Sequence, residues 1–214
     1  MQTRKQKQYR AVLDIFSTSD RDRLLQLQTT SDIQDLLNAI PYNFEQGGET
    51  CKSPKRVLET NSAHCMEGAM LAVYALGLLG RDGKLLHLMA HRPDDDHVIT
   101  VFKEGECFGA LSKTNHGVLR YPEPVYKTIR ELVMSYFHEY FLDTGVKTLY
   151  AYSRPLSLST RGVVWITTDD DVWELDRALD DVTHVQIAEK KLLEHLRHAD
   201  PVEIAMGKIV EWKK

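Results

Sequence analysis

The sequence predicts an α+β fold in which one helix, buried all round, packs on an antiparallel sheet. Three observations point there. Asn61 to Gly80, NSAHCMEGAMLAVYALGLLG, opens polar and continues as an almost unbroken apolar run whose side chains fall on every side of a helical wheel. Strand-forming runs follow, LLHLMAHR from Leu85 to Arg92 and HVITVF from His97 to Phe102, the latter returning as CFGALS from Cys107 to Ser112. Helical patterns flank this centre at both ends of the chain.

Residues 4 to 39 read as three helical stretches, around Tyr9 to Phe16, from Ser19-Asp20 through Leu27, and from Ser31 through Ile40. PYNFEQGGETC, Pro41 to Cys51, carries turn residues and reads as an irregular loop. Ser53-Pro54 starts a short helix, serine as cap and proline at the first helical position, running to about Glu59. Asn61 or Ser62 is then positioned to cap the central helix, and Gly80 to end it. In the hairpin, Lys103-Glu104-Gly105-Glu106 places Glu104 and Gly105 in the loop, which sets His97 directly opposite Ser112 unless Gly109 bulges. Tyr121 to Phe141 reads as one amphipathic helix. LYAYS (Leu149 to Ser153) and VVWITT (Val163 to Thr168) read as strands extending the sheet. The tail carries further helical patterns in DDVWELDRAL, Glu189 to His198 and Pro201 to Trp212. The expected organisation is a single domain over 1–214, with 170–214 as a possible helical C-terminal appendage.

At 214 residues and 43% hydrophobic content the chain is long enough for a sizeable core. Lys and Arg total 27 against 31 Asp and Glu, a net charge of −4 with neutral His, and basic residues gather only in TRKQKQYR and at Lys213-Lys214. That balance argues against a nucleic-acid partner. The apolar run is interrupted by Glu67 and Tyr74 and followed by Arg81, which marks a core helix and not a membrane span. Cys51, Cys65 and Cys107 are odd in number and form no CxxC, and no N-terminal stretch resembles a signal peptide. Reduced thiols in the cytoplasm are the expectation.

Cys65 falls in the first turn of the central helix, where unpaired N–H groups and the positive end of the helix dipole stabilise a thiolate, the nucleophilic form of cysteine. Glu67 in the same turn opposes ionisation, and the plainer reading is a buried structural cysteine. His97, opening a strand about thirty residues on, supplies a rigidly held imidazole base, which also needs a third polar group on its other nitrogen.

In this order of elements the chain resembles the transglutaminase-like superfamily, a papain-like core. CMEGAMLAVYALGLLG matches the helix that begins at the nucleophile, SPKRVLETNSAH the short helix and loop before it, and DDDHVITVFKEGECFGALS the histidine strand and hairpin, over roughly residues 50 to 140. Phe108 stands where the family commonly has Trp. The resemblance implies Cys65 as nucleophile and His97 as base. At the third position it expects Asp where this chain has Ser112, and Asn115 in SKTNHG is the other candidate. Asp94, Asp95 and Asp96 abut His97, but neighbouring strand residues face opposite ways. Asn43, Gln46 and Asn61 are candidate amide donors to an oxyanion, each otherwise a loop or capping residue.

Two further readings stand beside this one. His64, Cys65, His87, His91 and His97 hold metal-ligand chemistry, although adjacent residues seldom reach one zinc ion. His87 and His91 otherwise lie at the surface of their strand or pack in the sheet, His116 reads as a solvated loop residue, and Trp165, Trp173 and Trp212 as packing anchors. The expected function is a cysteine-dependent hydrolase or acyltransferase acting on an amide or peptide bond through a thioester. The alternative is an inactive binding module of the same fold. No metal or organic cofactor is implied, the partner is a peptide or small amide substrate, and no nucleic acid or membrane is expected.

Overall fold

The structure is a computed structural model, described for residues 2–210 and, at Lys190, for the backbone alone. In chain order it runs α1 (Arg4–Arg10), a 3-10 turn (Leu13–Ile15), α2 (Thr18–Gln26), α3 (Thr30–Ala39), α4 (Pro54–Thr60), α5 (Cys65–Leu78), β1 (Gly83–Ala90), β2 (His97–Glu104), β3 (Cys107–Leu111) and α6 (Ile129–Phe137). It continues through β4 (Leu149–Ser153), β5 (Leu156–Ser157), α7 (Val164–Thr167), α8 (Trp173–Asp180), β6 (His184–Gln186), α9 (Lys190–Leu193) and α10 (Pro201–Gly207). Among the described residues this is an α+β architecture with one antiparallel sheet in the order β3-β2-β1-β4-β6, with β5 pairing β1 beside β4.

The central helix is α5. Every residue from Met66 to Leu78 is buried, so it is held by burial on all sides and not by one apolar face; a fully buried Leu or Met contributes about 2 kcal/mol relative to exposure. It lies on β1 and β2, with α1, α3 and α4 covering its other sides. Tyr9, Ile33, Leu37, Val57, Leu71, Leu76, Leu85 and Trp165 share its core. A second apolar cluster, containing Leu86, Leu88, Ile99, Val101, Leu132, Val133 and Tyr136, joins α6 to the sheet. Alternation along β1 and β2 sorts these side chains to the two faces.

Several expectations are corrected. The cap of α5 is His64, not Asn61 or Ser62, so Cys65 is the first helical residue; Asn61 instead ends α4 in the left-handed conformation. The hairpin loop is Gly105-Glu106, with Glu104 opposite Cys107, because the turn needs positive φ at its first central position and Gly105 supplies it at φ +56°. The ladder runs unbroken through Gly109, without a bulge. Residues 163–168 are a helical turn and not a strand: Trp165 and Ile166 both enter the core cluster around α5, whereas neighbouring strand residues would face opposite ways, and Trp165 Nε1 donates to the Gly162 carbonyl. Residues 121–126 are not helical. Pro122 and Pro124 keep them out of a helix beside β3, with a turn at 124–125, where Phe108 pairs Tyr126 and Ala110 N–H donates to the Pro122 carbonyl, and α6 starts only after Thr128 caps it.

Residues 173–186 are built into the sheet and not appended to it, since β6 pairs β4 and α8 packs on β1. Trp173 is half-buried; Trp212 and Lys213-Lys214 lie outside the described residues. Among the described residues no helix is long and apolar enough to cross a membrane.

Candidate active site

Cys65 lies half-buried at the base of a cleft of about 380 Å³, with His97, Thr114, Asn115 and Leu119 also in its walls. A close approach puts it there. Gly68, one turn along α5, has no Cβ, and one built there would lie 2.3 Å from the Lys113 Cβ, so the chain just beyond Ser112 can lie against the start of the helix.

His97 and Ser112 do meet, although not as opposite partners. Extended past Thr100–Leu111, the ladder puts Ser112 opposite Ile99, making it a diagonal neighbour of His97 on one face. His97 Nε2 and Ser112 Oγ are 2.8 Å apart, and Ser112 Oγ–H donates to the Leu119 carbonyl at 2.6 Å. A serine has one proton. With that proton on Leu119, Oγ must accept from His97 Nε2–H, which fixes the tautomer and leaves Nδ1 for the Cys65 sulfur. A neutral hydroxyl thereby does the orienting work of a carboxylate without its charge.

The supports of Ser112 come from far away in sequence. Gln34, buried in α3, accepts from the Ser112 N–H at 3.0 Å and donates to its carbonyl at 2.8 Å. Leu119 is held at φ +59°, and its N–H donates to Glu139 at 2.9 Å. A leucine in the left-handed region is strained; here the strain turns the carbonyl that anchors Ser112. Asn115 lines the cleft, but the partner of His97 Nε2 is Ser112.

His64 is a second imidazole beside Cys65. Its Nε2–H donates to the Thr50 carbonyl at 2.8 Å, and in the neutral ring Nδ1 accepts the Met66 N–H at 3.3 Å. Protonated, Nδ1 becomes a donor toward Cys65. Burial pulls the His64 pKa down, but hydrogen bonding to Cys65 and the charges of Cys65 and Glu67 outweigh it and raise it to about 9. At Cys65 burial pushes the thiol up, while hydrogen bonds and positive charge from His64 and His97 outweigh it and bring it down to about 5. Cys51 is the opposite case, a buried thiol pushed well up by desolvation.

Glu67 has no exposed surface, and its carboxylate is held by partners on every side. It accepts from Lys52 N–H (2.9 Å), Thr50 Oγ1 (2.8 Å), His64 N–H (3.0 Å) and Asn43 Nδ2 (3.2 Å), with the buried Lys52 ammonium 3.6 Å away. It is an internal anchor that ties the loop before α4 to the start of α5. These bonds also settle the candidate amide donors. Both Asn43 amide protons are engaged, with Thr50 and Glu67, Gln46 is exposed outside the cleft, and Asn61 is a cap. With the His64 ring neutral, the cap engages the Met66 and Glu67 N–H groups and leaves the Cys65 N–H without an intrahelical partner; protonation of Nδ1 releases Met66 and Glu67 N–H as well, while His64 N–H stays on Glu67.

The three aspartates before His97 turn to other partners. Asp96 accepts the Ala90 N–H at 2.7 Å and pairs His87 at 3.2 Å, and Asp94 accepts from Thr148. Burial pushes the Asp96 carboxyl up, but His87 and the Ala90 N–H hold it below its usual range. His87 is buried within the sheet, His91 stacks on Tyr150, and His116 lies in the cleft wall and is not a freely solvated loop residue. Among the described residues no three His, Cys, Asp or Glu side chains are placed to hold a metal ion. Glu45, Asp94, Asp95, Asp96, Glu139 and Asp143 line the cleft, and no Lys or Arg does among the described residues. Tyr42 also lines it, its phenol kept protonated by burial and by the charge of Cys65.

No family model matches the chain, and no curated protein matches it either.

Proposed function

We propose that the chain is a cysteine-dependent hydrolase or acyltransferase with a transglutaminase-like core, acting on an amide or peptide bond. The observation that carries the reading is the chain of bonds from the Leu119 carbonyl through Ser112 to His97 Nε2, which presents Nδ1 to a cysteine whose pKa is brought down to about 5. Structural cysteines have no need of two imidazoles. The helix that starts at Cys65, the short helix before it and the hairpin that carries His97 and leads to Ser112 further support the family reading.

The Cys65 thiolate attacks the carbonyl carbon, and the Cys65 N–H receives the developing oxyanion. Imidazolium His97 gives its Nδ1 proton to the departing amine, leaving a thioester and a neutral ring. His97 Nδ1 then takes a proton from water or from an incoming amine, whose attack releases the acid or a new amide and regenerates the thiolate. Throughout, Nε2–H stays on Ser112. The carboxylate-lined cleft favours neutral or cationic substrates over anionic ones.

Acyl transfer is read directly by intact mass. Incubation with a panel of activated acyl esters and peptide carboxamides should give an acyl adduct on the native chain that hydroxylamine removes and that Cys65→Ala does not form. Absence of an adduct from every donor, or an equal adduct on Cys65→Ala, would exclude the reading. Added amine divides the product between acid and amide and so separates hydrolysis from transfer.

A further inference from the structure

The last described residues run along the mouth of the cysteine cleft. Gly117 N–H donates to the Ile209 carbonyl at 2.6 Å, His116 and Val210 form an antiparallel bridge, and His116, with its proton on Nδ1, donates to the Gly207 carbonyl at 3.3 Å. Gly207 lines the cleft that holds Cys65 and His97. Ile209 and Val210 line a second hollow of about 200 Å³, whose other walls are Asn38, Lys113, Gly117 and Arg120. Thr114 belongs to both hollows, so residues 207–210 stand between them.

This segment is lightly held. Helix α10 contributes no buried residue, and Val202, Met206 and Ile209 are 67%, 54% and 60% exposed. Its attachments at the cleft are the backbone pairing to His116-Gly117, the His116 ring on Gly207, an exposed Lys208–Asp143 ion pair at 3.5 Å and the approach of Gly207 to the Phe141 ring. With residues 207–210 lifted away, the two hollows become one groove floored by Thr114 and edged by the freed Gly117 N–H and His116 ring, the His116 N–H staying on Thr114 Oγ1. An edge of that kind binds an extended peptide by strand addition.

We propose that this groove is the binding site for an extended peptide substrate and that the chain's own C-terminal segment occupies it, restraining access to Cys65. The proposal rests on the reading of Cys65 as the nucleophile. The strap uses the same backbone pairing that the peptide would use. Substrate must therefore displace it, and the apparent affinity for an extended substrate falls by the fraction of molecules in which it is open.

The test is made in the chain with Cys51 and Cys107 replaced, so that Cys65 is the native thiol that remains. Two probes are compared, iodoacetamide and an iodoacetyl hexapeptide, and the quantity read is the ratio of their alkylation rates. Deleting Gly207 to Lys214 should raise the ratio for the peptide about tenfold or more, as expected if the strap is open a tenth of the time or less. The second variant, Gly117→Cys with Ile209→Cys, has the opposite sign. A Cβ at position 117 lies 3.4 Å from the Ile209 Cβ, close to the disulfide spacing of about 3.8 Å, and Cys65 of the oxidised form, its modification read by peptide mass so that the two added thiols are not counted, should react with the peptide about tenfold more slowly than Cys65 of the same variant reduced. A ratio that stays within about twofold in either variant would overturn the proposal, since each change then fails to alter a closed fraction. A uniformly slow iodoacetamide reaction would instead count against the nucleophile, while the ratio still reports on the groove.

Discussion

Replacing Glu67 by Ala should destabilise the chain by about 3–5 kcal/mol, the range for removing one partner of a buried ion pair. The side chain has no exposed surface, and its two oxygens collect two backbone N–H groups, a hydroxyl and an amide, with the Lys52 ammonium 3.6 Å away. Without the carboxylate, Lys52 keeps its bonds to Ser62 and Thr60 but has lost its countercharge while remaining buried. The measurement is urea unfolding, and the expected effect is a lower midpoint with an unchanged slope. Adding Lys52→Met should recover part of the loss, because the orphaned charge is then gone. A Glu67→Ala effect below about 1 kcal/mol would mean that the anchor does not hold the loop as described.

Ser112→Ala should lower the alkylation rate of Cys65 at pH 6 by about 10- to 100-fold, within the scale of a misplaced acid–base group. The hydroxyl is both the acceptor of His97 Nε2–H and the donor to Leu119. Removing it strands both partners in a buried setting, which costs about 1–3 kcal/mol for each group left unpaired. It also frees the ring to put its proton on either nitrogen. Ser112→Thr keeps the hydroxyl and should retain most of the rate. If Ser112→Ala reacts like the native chain, with an unchanged far-ultraviolet dichroism spectrum, Ser112 does not orient the imidazole. Ser112→Asp is not a simple gain, because a carboxylate there would face the Leu119 carbonyl now 2.6 Å from the hydroxyl oxygen.

The sequence made local features legible and left those that depend on tertiary partners obscure. Helix α5 could be read because its apolar residues cover every side of the wheel, and Ser53-Pro54 because cap and proline act within one turn. The hairpin was displaced by one position: the loop type turns on which residue takes positive φ, and both Glu104-Gly105 and Gly105-Glu106 put glycine at a central position. His97 and Ser112 survived that displacement because the shift makes them diagonal neighbours and keeps them on one face. The strand pattern at 163–168 misled because its β-branched residues fit a strand locally, while the core needed Trp165 and Ile166 side by side. Gln34 and the Leu119 carbonyl carry no local signal, since one acts across 78 positions and the other is a backbone atom. His64 was visible as the neighbour of Cys65, but its double role as cap and imidazole depends on the loop that places Thr50 beside it.

The measurement that bears most directly on a thiolate–imidazole site is the rate of Cys65 alkylation by iodoacetamide against pH, in the native chain and in His97→Ala, with Cys51 and Cys107 replaced. A thiol brought down to about 5 is ionised above that pH and protonated below it. The native rate should therefore hold its plateau down to about pH 6 and fall as pH drops through about 5, where a free thiol would need about pH 8.5 to be half ionised. In His97→Ala one of the two imidazoles is lost, the midpoint should move up toward the free-thiol value, and the rate at pH 6 should collapse. A native midpoint near that of a free thiol, or a profile indifferent to His97, would contradict the account.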